Sequence, residues 1–214
     1  MHLVHESASC DKIDGWLSLT PNSPMKVRDS GMPDEERWAG FFDARRILVQ
    51  LDFTDHVANV VDFGCGYGTF TIAAAELTSG IVHALDIEPG MLKATATKAE
   101  SLGLTNVSTI QSDFIANNTG LSDESVGYAM LFNILHTEDP VGLLREAYRV
   151  LRPGGKLGVI HWIYDAATPR GPDLSIRPRP EECQTWAQKA GFELVVPYIA
   201  LPPYHYGLVG RRPQ

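Results

Sequence analysis

The chain has 214 residues, 44% of them hydrophobic, with 26 acidic against 18 basic side chains and a formal charge of −8. That length suits one α/β domain with a sizeable core, and the acidic balance excludes a broad basic footprint for binding nucleic acid without regard to sequence. No apolar run approaches the roughly 20 residues of a membrane span, so a cytoplasmic protein is expected.

Residues 1–33 carry polar residues and prolines without sustained periodicity and read as irregular, apart from a short helical turn over "DKIDGWLSL". From Asp34 to Val49 the pattern is helical: Trp38, Phe41, Phe42, Arg45 and Leu48 recur at helical spacing, and Pro33-Asp34-Glu35 suits a helix start. We read residues 1–54 as an N-terminal cap segment and 55–214 as the main domain. "HVANVVDF" is a strand that runs into the glycines of "GCGYG". Beyond it the chain alternates: helix "TFTIAAAELTSG", closed by Gly80; strand "IVHALD"; helix "PGMLKATATKAESLG", opened by Pro89 and closed by Gly103; strand "NVSTIQSD"; strand "VGYAMLFN".

"DPVGLLREAYRVLRPGG" is the clearest helix, with Asp139 as cap, Pro140 in the first turn and Gly154-Gly155 as the turn into the next strand. Strand "KLGVIHWIY" leads to the irregular stretch "DAATPRGPDLSIRPRP", helix "EECQTWAQKAG" and strand "FELVVPYIA". Only "LPP" separates that strand from "YHYGLVGRR", too little for a crossover helix, so the last two run antiparallel in a mostly parallel sheet. Cys10, Cys65 and Cys183 are too scattered for a disulfide framework or a zinc site, and no metal is expected.

A strand that ends in glycines and feeds a helix brings bare backbone to the carboxyl edge of the sheet, where open α/β folds bind ligands. The helix start beyond it suits a carboxylate or phosphate. Gly64 and Gly66 fit the dinucleotide pattern G-x-G-x-x-G, but its third place is Thr69 and the extra glycine is Gly68; no lysine completes a phosphate loop. Asp86 ends the next strand and can accept both hydroxyls of a ribose. Asp113 ends the third, where it can take an adenine amino group while Ile87 or Phe114 covers the ring. Asp62 can orient the loop amides or meet an ammonium group. A diol acceptor, an amine acceptor and a carboxylate site, without a phosphate clamp, are together the demands of S-adenosylmethionine.

With these residues the sequence resembles the class I S-adenosylmethionine-dependent methyltransferases, and within them the small-molecule branch that includes the ubiquinone/menaquinone-biosynthesis enzymes. The likeness rests on "VVDFGCGYG", "ALDIEPGML", "QSDF", "LFNILH" and "EAYRVLRPGGKLGV", in that order, over roughly residues 55 to 165. It implies a single Rossmann-like domain with a seven-stranded sheet whose last strand is antiparallel and helices on both faces. It also implies methyl transfer that leaves S-adenosylhomocysteine, and cofactor contacts at Asp62, Gly64, Gly66, Gly68, Asp86, Asp113 and Asn133.

Such a reaction needs the acceptor aligned with the activated methyl, and a base only when the acceptor is a weak acid. His136, His161 and His205 lie near strand ends on the cofactor side and are the candidate catalytic residues. Arg170, Arg177 and Arg179 stand between prolines in a long loop, where they either select an anionic small-molecule acceptor or pair with Glu181 and Glu182. The expected partner is that acceptor, with no nucleic acid and no membrane span, for a monomer or homodimer. Two other readings stay open: a non-catalytic S-adenosylmethionine-binding protein of the same fold, and an NAD-linked oxidoreductase.

Overall fold

The structure is a computed structural model that describes residues 34–54 and 59–214. The expectations for residues 1–33, and the beginning of the strand read from His56, lie outside the described residues. Helices α1 (Glu35–Ala39) and α2 (Ala44–Gln50) precede strand β1 (Val60–Phe63), helix α3 (Thr69–Leu77), β2 (Val82–Asp86), α4 (Pro89–Ser101), β3 (Val107–Gln111) and β4 (Val126–Phe132). Then come α5 (Pro140–Val150), β5 (Leu151–Trp162), α6 (Pro180–Lys189), β6 (Glu193–Leu201) and β7 (His205–Arg211).

The seven strands form one sheet in the order β3-β2-β1-β4-β5-β7-β6, with every pairing parallel except the two that β7 makes with β5 and β6. The expected mostly parallel sheet with an antiparallel last strand is therefore present. Strand residues alternate between two cores. Val61, Phe63, Leu157 and Val159 pack with Leu143, Leu144 and Ala147 of α5 and Cys183 and Ala187 of α6. On the other face Val60, Met130, Ile160 and Val209 meet Ile47 and Leu48 of α2 and Phe70 and Ala74 of α3. The buried Tyr128 hydroxyl donates to the Leu51 carbonyl at 2.8 Å, tying the end of α2 to the sheet. Among the described residues no helix is long and apolar enough to cross a membrane.

Three expected boundaries are corrected. The helix read from Asp34 to Val49 is two helices, because Asp43 accepts the Arg46 N–H at 3.1 Å and caps a new start, as Asp34 caps α1 through Arg37 at 3.0 Å. The break turns Phe41 towards Trp162 and Phe42 towards His205. Helix α3 ends at Leu77, not Gly80, since Thr78 is extended and its hydroxyl accepts the Gly80 N–H. Helix α5 stops at Val150, and Leu151 is already strand. Leu151 pairs with Val126 while Lys156 pairs with Tyr128, so the "RPGG" segment is a bulge inside β5.

Candidate active site

The glycine loop follows β1 at the carboxyl edge of the sheet. Gly64 has φ +75°, and a Cβ there would lie 3.0 Å from the Ile134 side chain. Gly68, also at φ +75°, would bring a Cβ within 2.8 Å of the Thr95 hydroxyl. Both need glycine for conformation as well as space. The expectation of bare loop amides is corrected: the Gly64 and Cys65 N–H groups both donate to the Leu85 carbonyl, Gly68 donates to Cys65, and Gly66 donates to Asp86. Their bonds fix the loop against β2. What the loop offers a ligand is close approach and the first turn of α3. There the Thr69 hydroxyl is buried with no hydrogen-bond partner among the described residues.

Two carboxylates flank the loop. Asp86 accepts the Gly66 N–H through Oδ2 and the Glu88 N–H through Oδ1, each at 2.9 Å. Burial raises its pKa, and each oxygen keeps capacity for a further donor. Asp62 is 3% exposed and accepts the Thr71 hydroxyl at 2.6 Å, which joins β1 to α3. Burial pushes its pKa up to about 7, with the Thr71 bond opposing and the Asp86 charge adding. Cys65, between the glycines, is buried and its thiol is also pushed up by burial, so it stays protonated under the loop.

Along the same edge, Asp113 accepts the Ala116 N–H at 3.0 Å. Phe114 is buried edge-on against Phe63, with centroids 5.3 Å apart, while Ile87 is half-buried. Asn133 follows β4 at φ +57°; both its side-chain polar atoms are buried without a partner among the described residues. From the N-terminal side, Lys98 pairs with Glu35 of α1 and donates to the Tyr67 carbonyl at 3.2 Å, which brings α1 beside the loop.

The three histidines do not converge. His161 and His136 lie on the α5/α6 face with ring centroids 5.5 Å apart. His161 is fully buried, accepts the Trp162 N–H through Nδ1 at 3.0 Å, and has a pKa well below its ordinary value through burial and then the neighbouring His136. His205 lies on the opposite face, against Trp162 at 4.2 Å and Phe42 at 4.6 Å, and burial pushes its pKa down to about 3. The strand register accounts for the split: His161 pairs with Tyr206 and Trp162 with His205, so neighbouring pairs point to opposite faces.

His136 opens onto a cleft of about 330 Å³ that is covered by the loop 163–179 and the start of α6. Arg177 holds that loop. Its guanidinium donates twice to the Pro172 carbonyl and once each to the Ile163 carbonyl, the Asp165 carbonyl and the Thr168 hydroxyl. These bonds run to loop oxygens and not to Glu181 or Glu182. Arg179 lies at the mouth of the cleft with its guanidinium 3.7 Å from the centroid of the Tyr164 ring.

The fold has a counterpart among known proteins. A family described as a methyltransferase domain matches residues 60–155. Over that stretch the chain is similar to a methyltransferase domain. A SAM-dependent methyltransferase from Aquifex aeolicus superposes on it with a TM-score of 0.73 at 24% identity, covering 83% of this chain and 93% of that one. The chain is 32% identical over 126 residues to aklanonic acid methyltransferase DauC of Streptomyces sp. (strain C5), covering 58% of this chain and 56% of that one. It is 35% identical over 100 residues to demethylmenaquinone methyltransferase of Geobacillus sp. (strain WCH70), covering 45% and 42%. The chain thus spans about half the length of these curated relatives.

Several residues that shape the glycine loop escape a reading by motif. Thr71 and Thr95 are both buried, one holding Asp62 and the other donating to the Gly66 carbonyl at 3.0 Å. Thr95 was accessible through spacing, since Leu92, Thr95 and Ala99 form the buried stripe of α4. Ile134 and Thr69 carry no comparable signal. Among the described residues, no group of three or more His, Cys, Asp or Glu side chains is placed to hold a metal ion.

Proposed function

We propose that this domain binds S-adenosylmethionine along the carboxyl edges of β1 to β4 and methylates a small-molecule acceptor. When bound, the cofactor supplies an activated methyl group, whose transfer leaves S-adenosylhomocysteine. The observation that carries this reading is the pair of buried polar groups beside the loop that have no hydrogen-bond partner among the described residues, the Asn133 amide and the Thr69 hydroxyl. Buried polar atoms are rarely left unpaired, and these two flank the site where a ligand would pair them. The glycines fit as well, because side chains at Gly64 and Gly68 would close the cradle.

In this reading Asp86 accepts the ribose hydroxyls. Asp113 meets the adenine amine, with Ile87 and Phe114 beside the ring. Asn133 holds the cofactor end nearest the acceptor, and Gly66 gives backbone access. Asp62 acts through α3 as a positioning residue. Among the histidines, His136 faces the acceptor at the cleft, His161 positions it from beneath, and His205 packs the opposite face. The residues' main task is alignment of the acceptor and exclusion of water. The relatives' names point to two different acceptors, aklanonic acid and a demethylmenaquinone, and support a small acceptor in general.

Calorimetry with S-adenosylhomocysteine tests the proposal. The unmutated protein should bind it saturably, with NAD failing to compete, and Asp86→Asn should bind at least ~10-fold more weakly, as expected for loss of charge-assisted hydrogen bonds. Absence of binding to folded protein refutes the cofactor; unchanged affinity in Asp86→Asn refutes the ribose assignment.

A further inference from the structure

We infer that the cleft beneath loop 163–179 is the acceptor pocket and that it selects a carboxylate carried on a flat apolar body. This rests on the methyltransferase reading and deepens it. The cleft adjoins the glycine loop: Ile134 reaches the space beside Gly64, and His136, only two residues further, lines the cleft. Two residues span at most ~7 Å of chain, so an acceptor held in the cleft lies within a small molecule's length of the loop. A volume of about 330 Å³ is at the small end of the range for ligand pockets.

Its lining sets the chemistry. Leu135, Ile176 and Trp186 supply apolar surface for a flat body. Arg179 supplies the charge at the mouth, oriented by its stacking on Tyr164. Among the described residues no carboxylate forms an ion pair with Arg179. The acid nearest in the lining, Glu182, accepts the Arg179 backbone N–H at 2.8 Å and so faces the start of α6. Arg177 also lines the cleft, and its positive charge adds to burial in lowering the pKa of both His161 and His205. A planar guanidinium on an aromatic ring, at the mouth of an apolar cleft, matches the bidentate geometry of a carboxylate.

The test titrates the full-length protein, with and without saturating S-adenosylhomocysteine, with 2-naphthoate and with its neutral counterpart 2-naphthamide. Naphthoate should bind at least ~10-fold more tightly than naphthamide. Arg179→Gln should abolish that preference and leave S-adenosylhomocysteine affinity unchanged; Arg179 is exposed, so the variant keeps the fold. Equal binding of the two probes, no saturable binding of naphthoate, or a preference that survives Arg179→Gln would overturn the inference. The arm without S-adenosylhomocysteine decides the charge preference of the cleft even if the cofactor assignment itself fails.

Discussion

Replacing Asp62 by Asn should make the protein more stable at high pH than at low pH relative to the unmutated chain. Asp62 is buried, and its pKa rises from an ordinary 3.8 to about 7 on folding, chiefly through that burial. The native state therefore holds this proton more tightly than the unfolded chain does. Stability from this group is greatest near pH 4 and below, declines as pH climbs from 4 to 7, and levels off above 7. The shift corresponds to a penalty of order 4 kcal/mol for the ionised form. Asn removes the ionisation and can still accept the Thr71 hydroxyl. It also introduces a buried amide N–H₂ group, at a pH-independent cost of ~1–3 kcal/mol. Urea unfolding of both proteins at intervals from pH 4 to pH 8 measures the difference. Asp62→Asn should be the less stable protein at pH 4 and gain on the parent by several kcal/mol by pH 8. A difference that stays constant across that range would refute the buried-carboxyl argument. S-adenosylhomocysteine affinity that stays within a fewfold of the parent would agree with a role exerted through α3.

Two further substitutions probe how the site is framed. Tyr128→Phe leaves the buried Leu51 carbonyl without its donor and should cost ~1–2 kcal/mol, with hydrogen exchange accelerating in α2. Burial raises the Tyr128 pKa, so this loss should not change with pH across the neutral range. Arg177→Met strands the Pro172, Ile163 and Asp165 carbonyls and should cost at least ~3 kcal/mol. Arg177→Lys should rescue little of it, because an ammonium cannot span the same fork of acceptors. Limited proteolysis would then move into 163–179; an unchanged cleavage pattern would argue against the clip.

The sequence was most legible where one local signal sufficed. Asp139-Pro140 marked the start of α5, Pro89 and Gly103 bracketed α4, and the short link "LPP" before Tyr204 required an antiparallel pair. It was least legible where the deciding partner is distant. Asp43 restarts a helix that periodicity runs straight through, because capping competes with the apolar repeat. That Asp86 would satisfy the loop's own Gly66 amide depends on two strand ends meeting, which spacing does not encode. The three histidines looked equivalent because all lie near one edge of the sheet. Strand register separates them, and register is set by packing across β5 and β7. Arg177 shows the same limit, since a guanidinium among prolines suits an anion site and a loop clip equally well until its carbonyl partners are known.

The position of β7 bears on how the chain acquires its shape. Residues 205–211 pair on both sides, and among the described residues β6 has no other neighbour in the sheet. During synthesis, residues 193–201 therefore emerge before the strand they pair with, and β6 can join the sheet only once the hairpin folds back and inserts its second arm. Removal of residues 205–211 would thus strip β6 from the sheet together with β7, expose the flank of β5 as a sticky edge, and uncover the face on which His161 and Tyr206 meet.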